Sequence, residues 1–135
     1  MNLNAAMGQE KIKIGLLIPM SGTNKEIGES IVKAVRLAVK DIDSDLIEII
    51  PKDTNTNPEK ALKSAIELKE EGIKIVIGPV FYKSLLYLDK IQDLTFLSLT
   101  NRTLDLPLNV ISAGINSTSQ FNTIKKFIKI KKIKK

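Results

Sequence analysis

The sequence predicts an α/β fold in three layers, in which an open parallel sheet is covered by helices on both faces. Short runs rich in Ile, Leu and Val, typical of buried strands, alternate with longer segments whose apolar residues recur every three or four positions, as in helices. The strand-then-helix unit occurs four times and is followed by a fifth strand and helix, which implies a parallel sheet. The expected strand order is 2-1-3-4-5, with a switch point between strands one and three.

The first strand-loop-helix unit occupies the beginning of the chain. Lys11–Ile18 is a mainly apolar run that predicts a strand, and turn-forming residues follow at 19–24. A helix is predicted over Lys25–Asp41 with Asn24 as its N-cap, because an Asn side chain accepts hydrogen bonds from the free backbone N–H groups at a helix start. Its apolar stripe comprises Ile27, Ile31, Ala34, Val35, Ala38 and Ile42.

The second unit has a shorter strand and a helix with clear boundaries. Leu46–Ile50 predicts the strand, and the polar residues at 51–57 predict a loop. Asn57 is expected to cap the second helix, Pro58 suits its first position, and Gly72 suits the stop after its end. Both ends of this helix are therefore defined by local sequence.

The rest of the chain contains three more strands and two helices. Ile73–Ile77 is dominated by β-branched residues and predicts the third strand, which Gly78-Pro79 ends abruptly. After this turn, the pattern predicts a helix over Lys83–Asp93, strands at 94–99 and 110–113, a polar loop at 100–103, and a last helix capped by 116–119.

The positive charge of the chain is concentrated at one end. Residues 125–135 contain seven lysines and no acid, whereas the 14 basic and 15 acidic residues of 1–124 give a net charge of −1. A nucleic-acid-binding domain usually spreads basic surface over its fold, so no nucleic-acid partner is expected. The predicted organisation is a disordered extension at 1–10, one folded domain at 11–124, and a Lys-rich end of the last helix, or tail, at 125–135. No signal peptide is recognised at the start of this sequence.

Residue content excludes several kinds of chemistry. The chain has neither cysteine nor histidine, which excludes disulfides, thiolate catalysis and a Ser-His-Asp triad. Neither G-x-G-x-x-G nor a P-loop motif is present. The acidic run at 41–45 lacks the spacing of a calcium-binding loop and is interpreted as a solvated helix end. We therefore expect no catalytic residue, no metal site and no cofactor.

The loops at the carboxyl ends of the predicted strands carry mostly neutral hydrogen-bonding groups. In an open α/β sheet, ligands collect at this edge, around the switch point. The candidate ligand-binding residues are Ser21, Gly22, Tyr82, Lys83, Ser84, Thr100, Asn101, Arg102 and Thr103. They suit a small polar or anionic ligand that is held without being transformed. Two alternatives remain: these residues are turn formers and caps, or Lys83 or Arg102 serves a small α/β enzyme acting on an anionic substrate.

Three motifs resemble the type I periplasmic-binding-protein superfamily, which contains the leucine-binding proteins. They are IKIGLLIPMSG at 12–22, DT at 53–54 followed by NPEKA at 57–61, and GIKIVIGPV at 72–80. Within the superfamily, PKDT at 51–54, GPVF at 78–81 and LSLTN at 97–101 most resemble the penicillin-binding protein activators of the LppC lipoprotein type.

This resemblance implies a non-enzymatic, periplasmic protein and only part of a larger architecture. Superfamily members have two lobes, and this chain corresponds to the N-terminal lobe, as a fragment or a single-lobe protein that pairs with a second lobe or a second copy. The activator branch implies regulation of peptidoglycan synthesis through contact with a peptidoglycan synthase. The alternative is the substrate-binding component of an amino-acid or branched-chain amino-acid ABC transporter, whose partner is a permease. Phe81-Tyr82-Lys83 is bulkier than the small residues of amino-acid-binding members, which favours the activator branch.

Overall fold

The sheet contains five strands, all parallel. The computed structural model describes residues 10–131 and places the strands at β1 (Ile12–Ile18), β2 (Ile47–Asp53), β3 (Ile75–Ile77), β4 (Thr95–Ser98) and β5 (Val110–Ser112). Their order is β2-β1-β3-β4-β5. The predicted fold class and strand order are confirmed, and the carboxyl ends of β1 and β3 lie side by side at the switch point. The disordered extension predicted at 1–10 lies outside the described residues except for Glu10, as do residues 132–135 of the Lys-rich end.

The described residues form three α-helices: α1 (Lys25–Ile42), α2 (Pro58–Glu70) and α3 (Ser117–Ile130). Two of the predicted caps are confirmed, because the Asn57 side chain accepts a hydrogen bond from the Lys60 amide at 2.9 Å and Asn116 forms a capping box with Ser119. Asn24 occupies the N-cap position of α1 but makes no side-chain cap bond. Its Nδ2 instead donates to Thr56 Oγ1 at 3.1 Å, which links the loops that follow β1 and β2.

The prediction of a helix over Lys83–Asp93 is wrong. This segment forms two short 3₁₀ turns, at Tyr82–Leu85 and Leu88–Lys90. Leu85, Leu88 and Ile91 are all buried, and their spacing of three residues matches the three residues per turn of a 3₁₀ helix. A residue distant in sequence completes the arrangement: Asn109 Nδ2 donates to the carbonyls of Leu88 and Ile91, both at 2.9 Å. The predicted apolar spacing was correct, but it belongs to a tighter and discontinuous helix.

Strand β2 continues through residues predicted to form a loop. It includes Pro51, which pairs with Leu16, and it ends at Asp53, which pairs with Ile18. Proline is tolerated here because β2 is the first strand in the sheet order, and an edge strand needs hydrogen bonds on one side only. The extension carries the Asp53 side chain to the carboxyl end of β1.

The core lies mainly on the side of the sheet that faces α2 and the 3₁₀ turns. It is built mostly from Ile, Leu and Val: Leu17, Ala65, Leu68, Ile73, Val76, Leu85, Leu88, Ile91, Leu94, Phe96 and Val110. Helices α1 and α3 bury far fewer residues than α2 does. Gly28 is the buried residue of α1, and α3 has none among its described residues.

Candidate functional site

Three loops meet at the carboxyl edge of the sheet, one after each of β1, β3 and β4. The loop after β3 is fastened to β4, because Gly78 N donates to Leu97 O at 2.8 Å and Ser98 Oγ donates to Pro79 O at 2.9 Å. The Gly78-Pro79 peptide bond is cis, and Gly78 has a φ of 103°. A side chain at Gly78 would meet the carbonyl oxygen of Leu17, so only glycine allows the chain to pass this close to β1.

The loop after β1 is held by the carboxylate of Asp53. Oδ1 accepts hydrogen bonds from the amides of Met20 (2.8 Å), Ser21 (3.2 Å) and Asn55 (2.9 Å), and Oδ2 accepts from Ser21 Oγ (2.6 Å) and Lys60 Nζ (2.7 Å). Both carboxylate oxygens are therefore fully used, and the side chain joins β2, α2 and the loop after β1.

The same contacts set the ionisation of this carboxyl group. Partial burial raises the pKa of Asp53, but the hydrogen bonds from Lys60, Ser21 and the neighbouring amides together outweigh burial and hold its pKa well below the usual range. Asp53 is therefore an anion at neutral pH. Because it already has five donors, it anchors the loop rather than acting as a base.

Two predicted ligand-binding residues, Ser21 and Gly22, lie in the loop that Asp53 anchors. The Ser21 hydroxyl donates to Asp53, so its proton is not free for a ligand. Gly22 has a φ of 77°, and a side chain there would collide with the Asn55 side chain. Asp53 is not among the residues predicted from the sequence to form the site. The sequence did contain a signal for this role of Asp53. The residue is an acid that closely follows the second predicted strand, and the expected strand order places that strand next to the first one, which leads into the Ser21-Gly22 loop.

The three predicted ligand-binding residues after β3 differ in exposure. Ser84 is buried, with 2 % of its surface exposed, and therefore faces the interior instead of the edge. Tyr82 packs partly against the core, and Lys83 is exposed. Of these three residues, Tyr82 and Lys83 remain accessible at the edge of the sheet.

The loop after β4 is closed around the guanidinium group of Arg102. This group lies over the Tyr82 ring, 3.8 Å from the ring centroid, a cation–π distance. Nη2 is 3.3 Å from Asp105 Oδ2, and Nε donates to Leu104 O at 3.3 Å. The structure thus brings together Tyr82 and Arg102, which the sequence predicted to lie in the same site. The Arg102 guanidinium, however, already interacts with groups of its own chain.

The remaining predicted residues of this loop divide by exposure. Thr100 is buried, and its Oγ1 accepts a hydrogen bond from the Arg102 amide at 3.3 Å. Asn101 and Thr103 are exposed. Ligand binding by the nine candidate residues stays a prediction, and Lys83, Asn101, Arg102 and Thr103 are the candidates with exposed side chains.

A separate groove lies at the opposite edge of the sheet. It has a volume of about 740 Å³, and it is lined by Asp89, Gln92, Thr95, Leu106, Pro107, Leu108 and Asn109. Thr95 begins β4 and Asn109 precedes β5, so this groove is at the amino ends of the strands. The usual ligand position in an open α/β sheet is at the carboxyl ends, and the groove is therefore distinct from the candidate site.

The described residues offer little for metal chemistry or membrane spanning. Between residues 10 and 131, no group of three or more His, Cys, Asp or Glu side chains is placed to hold a metal ion. Within the same range, no helix is both long and apolar enough to cross a bilayer.

The family assignment follows from sequence comparison. The profile of the family described as periplasmic binding protein matches residues 11–107, which include β1 to β4 and the three loops of the candidate site. The chain belongs to the periplasmic binding protein family. The predicted resemblance to its type I, leucine-binding-like members is confirmed. Comparison with curated protein sequences gave no match.

Solved structures of this family share the fold of the chain. The leucine-binding protein LivK from Thermotoga maritima aligns with a TM-score of 0.70 and 17 % identity, over 87 % of this chain and 36 % of LivK. The C-domain of LpoA from Haemophilus influenzae, described as a regulator of PBP1A, aligns with a TM-score of 0.72 and 22 % identity, over 90 % of this chain and 38 % of that one. A solute-binding protein of an ABC transporter from Rhodopseudomonas palustris, in complex with benzoate, aligns with a TM-score of 0.63 and 24 % identity, over 75 % of this chain and 32 % of that protein.

These comparisons include both branches considered from the sequence. The relatives are described as binding or regulatory proteins, and periplasmic binding proteins give the family its name. This chain spans just over a third of the length of LivK and of the LpoA C-domain. At identities below one quarter, the likeness establishes the fold, and the ligands and partners named for those proteins are theirs.

Proposed function

We propose that this chain is a non-enzymatic, periplasmic lobe, formed by residues 11–124, which acts in the regulation of peptidoglycan synthesis by contacting a peptidoglycan synthase. The observation that carries the proposal is that the charged group best suited to bind an anion at the carboxyl edge already has partners within the chain. The best anion-binding group of the edge, the Arg102 guanidinium, is stacked on Tyr82 and paired with Asp105. This guanidinium is therefore already paired within the chain, which favours contact with a protein over capture of an anionic solute.

Competition between a ligand and the internal partners supports this proposal. A carboxylate ligand would have to displace Asp105 from Arg102, and a ligand seeking the Ser21 hydroxyl would have to displace it from Asp53. The Ser84 hydroxyl is buried, so reaching it would require the 3₁₀ turn around it to move. Each of these exchanges reduces the net affinity for a small ligand, because a bond within the protein is lost for each bond that is gained.

The comparison with LpoA also supports the proposal. The C-domain of LpoA aligns over 90 % of this chain, and full-length LpoA aligns with a TM-score of 0.64 and 25 % identity over 79 % of it. LpoA is described as a regulator of PBP1A. Function by contact with a synthase is compatible with a carboxyl edge at which the Arg102 guanidinium already has a partner and the exposed Lys83 can meet a protein surface.

The proposal is tested by measuring glycan polymerisation by PBP1A from the organism that encodes the chain, with and without the purified chain. We expect the chain to raise the rate of polymerisation, and Lys83→Glu, an exposed charge reversal at the carboxyl edge, to abolish the increase. Lys33→Glu makes the same change at an exposed position of α1 and serves as the matched control.

Calorimetric titration with leucine and with benzoate provides the opposing measurement. We expect no saturable heat with either compound. An unchanged polymerisation rate together with saturable binding of leucine or benzoate would contradict the proposal and support the role of an ABC transporter binding component.

A further inference from the structure

Helix α3 presents an apolar face that the rest of the described chain leaves exposed. Phe121, Ile124, Phe127 and Ile128 are 64 %, 58 %, 54 % and 43 % exposed, and their spacing of three and four residues places them on one side of the helix. The face extends beyond the start of α3 through Ile115, which is also exposed. A continuous apolar face of this kind on a soluble domain marks a surface that meets a partner.

The charged side chains of α3 are all basic. At 100° per residue, Lys125 borders the apolar face beside Phe121, and Lys129 and Lys126 lie progressively further around the helix. From residue 117 to the end of the sequence there are seven lysines and no acid. The helix therefore combines an exposed apolar face with a positive charge that nothing on the same helix neutralises.

We propose that α3 lies along an anionic lipid surface, with its apolar face in the boundary between head groups and acyl chains and its lysines at the lipid phosphates. Charge complementarity selects this occupant. A second copy packed face to face would add a second set of lysines and no acid from this segment, whereas an anionic bilayer offers apolar contact and negative charge at once. Helices with a lysine-rich polar face and Phe or Ile on the other are typical of this binding mode.

Helix α1 provides an internal contrast. It also exposes large apolar side chains, namely Ile27, Leu37 and Ile42. Its polar positions, however, carry both signs of charge, including a salt bridge between Lys25 and Glu29. Because an anionic surface repels the acids of α1 as it attracts the lysines, the lipid proposal applies to α3 alone. It goes beyond regulation of a synthase and does not depend on it.

Sedimentation of the full chain with lipid vesicles tests the proposal. We expect binding to vesicles of phosphatidylcholine containing about 30 % phosphatidylglycerol to exceed binding to pure phosphatidylcholine by about tenfold, and to be lost at about 0.5 M salt, where charges are screened. Phe127→Ser with Ile128→Ser, and separately Lys125→Glu with Lys126→Glu, are each expected to abolish binding. These residues are exposed, so circular dichroism should show that the variants remain folded.

The matched control is Ile27→Ser with Lys33→Glu on α1, which should bind like the unchanged chain. Equal binding to neutral and anionic vesicles would overturn the proposal. It would also be overturned if the folded chain bound no vesicles, if the α3 variants bound as well as the unchanged chain, or if the apolar face led only to concentration-dependent self-association in analytical ultracentrifugation.

Discussion

The loops after β1 and β4 reach the same edge of the sheet, but they are held in different ways. The loop after β1 is anchored from a neighbouring strand, by an Asp53 carboxylate with five donors and little exposed surface. The loop after β4 is closed by Arg102, which bonds to Leu104 and Asp105 of the same loop at the solvent-exposed surface. Interactions of the first kind stabilise the fold, whereas those of the second kind are readily exchanged for contacts with a partner.

Removing the Asp53 carboxylate should have the largest effect on stability. We expect Asp53→Ala to lower the free energy of unfolding by about 3 kcal/mol, because it leaves the Met20 and Ser21 amides and the Lys60 ammonium group without their acceptor. Urea denaturation followed by circular dichroism measures this change. Asp45→Ala, at an exposed position near the other end of β2, is the control and should be nearly neutral. A loss below about 0.5 kcal/mol in Asp53→Ala would show that the loop does not depend on this anchor.

A side chain at Gly28 should also disturb the loop after β1, by a clash from helix α1. The backbone of α1 passes so close to the Pro19 carbonyl that a Cβ at Gly28 would overlap it. We expect Gly28→Ala to lower the free energy of unfolding by about 2 kcal/mol, even though alanine has a higher helix propensity than glycine. Ser30→Ala, on the exposed part of α1, is the control in the same denaturation assay. Stabilisation by Gly28→Ala would mean that the loop after β1 can move away from α1.

The contribution of Asp53 should also depend on pH. Its folded pKa is depressed relative to the unfolded chain, so the stabilisation is complete above the unfolded pKa of about 3.9 and is lost as pH falls towards the folded pKa. The difference in unfolding free energy between the unchanged chain and Asp53→Asn should therefore be constant above about pH 5, roughly one unit above the unfolded pKa, and should shrink on further acidification. Urea titrations at a series of pH values measure it. A difference that grew with acidification would contradict the assigned direction.

Removing the Arg102 guanidinium should have the smallest effect on stability. Because the cation–π contact and the ion pair with Asp105 are both exposed, we expect Arg102→Ala to cost about 0.5 kcal/mol or less. Thermal or urea denaturation measures the change, with Arg36→Ala on α1 as control. A cost as large as that of Asp53→Ala would erase the distinction between the two loops.

Local sequence signals predicted the order of the elements and several of their boundaries. Apolar periodicity located α1, α2 and α3, and the caps at Asn57 and Asn116 follow from short-range hydrogen bonding. The strand order followed from the alternation of strands and helices. These features depend on residues a few positions apart, which is why a single sequence is enough to predict them.

The errors all involve partners that are distant in sequence. The Lys83–Asp93 segment has helical propensity, but Asn109 and the buried core select two 3₁₀ turns. Pro51 was interpreted as the start of a loop, because its tolerance on an edge strand becomes evident only when the strand order is known. The role of Asp53 was missed for the same reason, since its donors lie 32 and 33 residues away, in the loop after β1.

The proline in β2 has a consequence for the behaviour of the chain in concentrated solution. A sheet edge with free backbone donors and acceptors can recruit the edge of another molecule and grow into an aggregate. Here one edge strand contains Pro51, which lacks a donor, and the other edge strand, β5, has only three residues. Neither edge is a good template for intermolecular β-pairing, so the chain can expose apolar helix faces without a matching tendency to polymerise through its sheet.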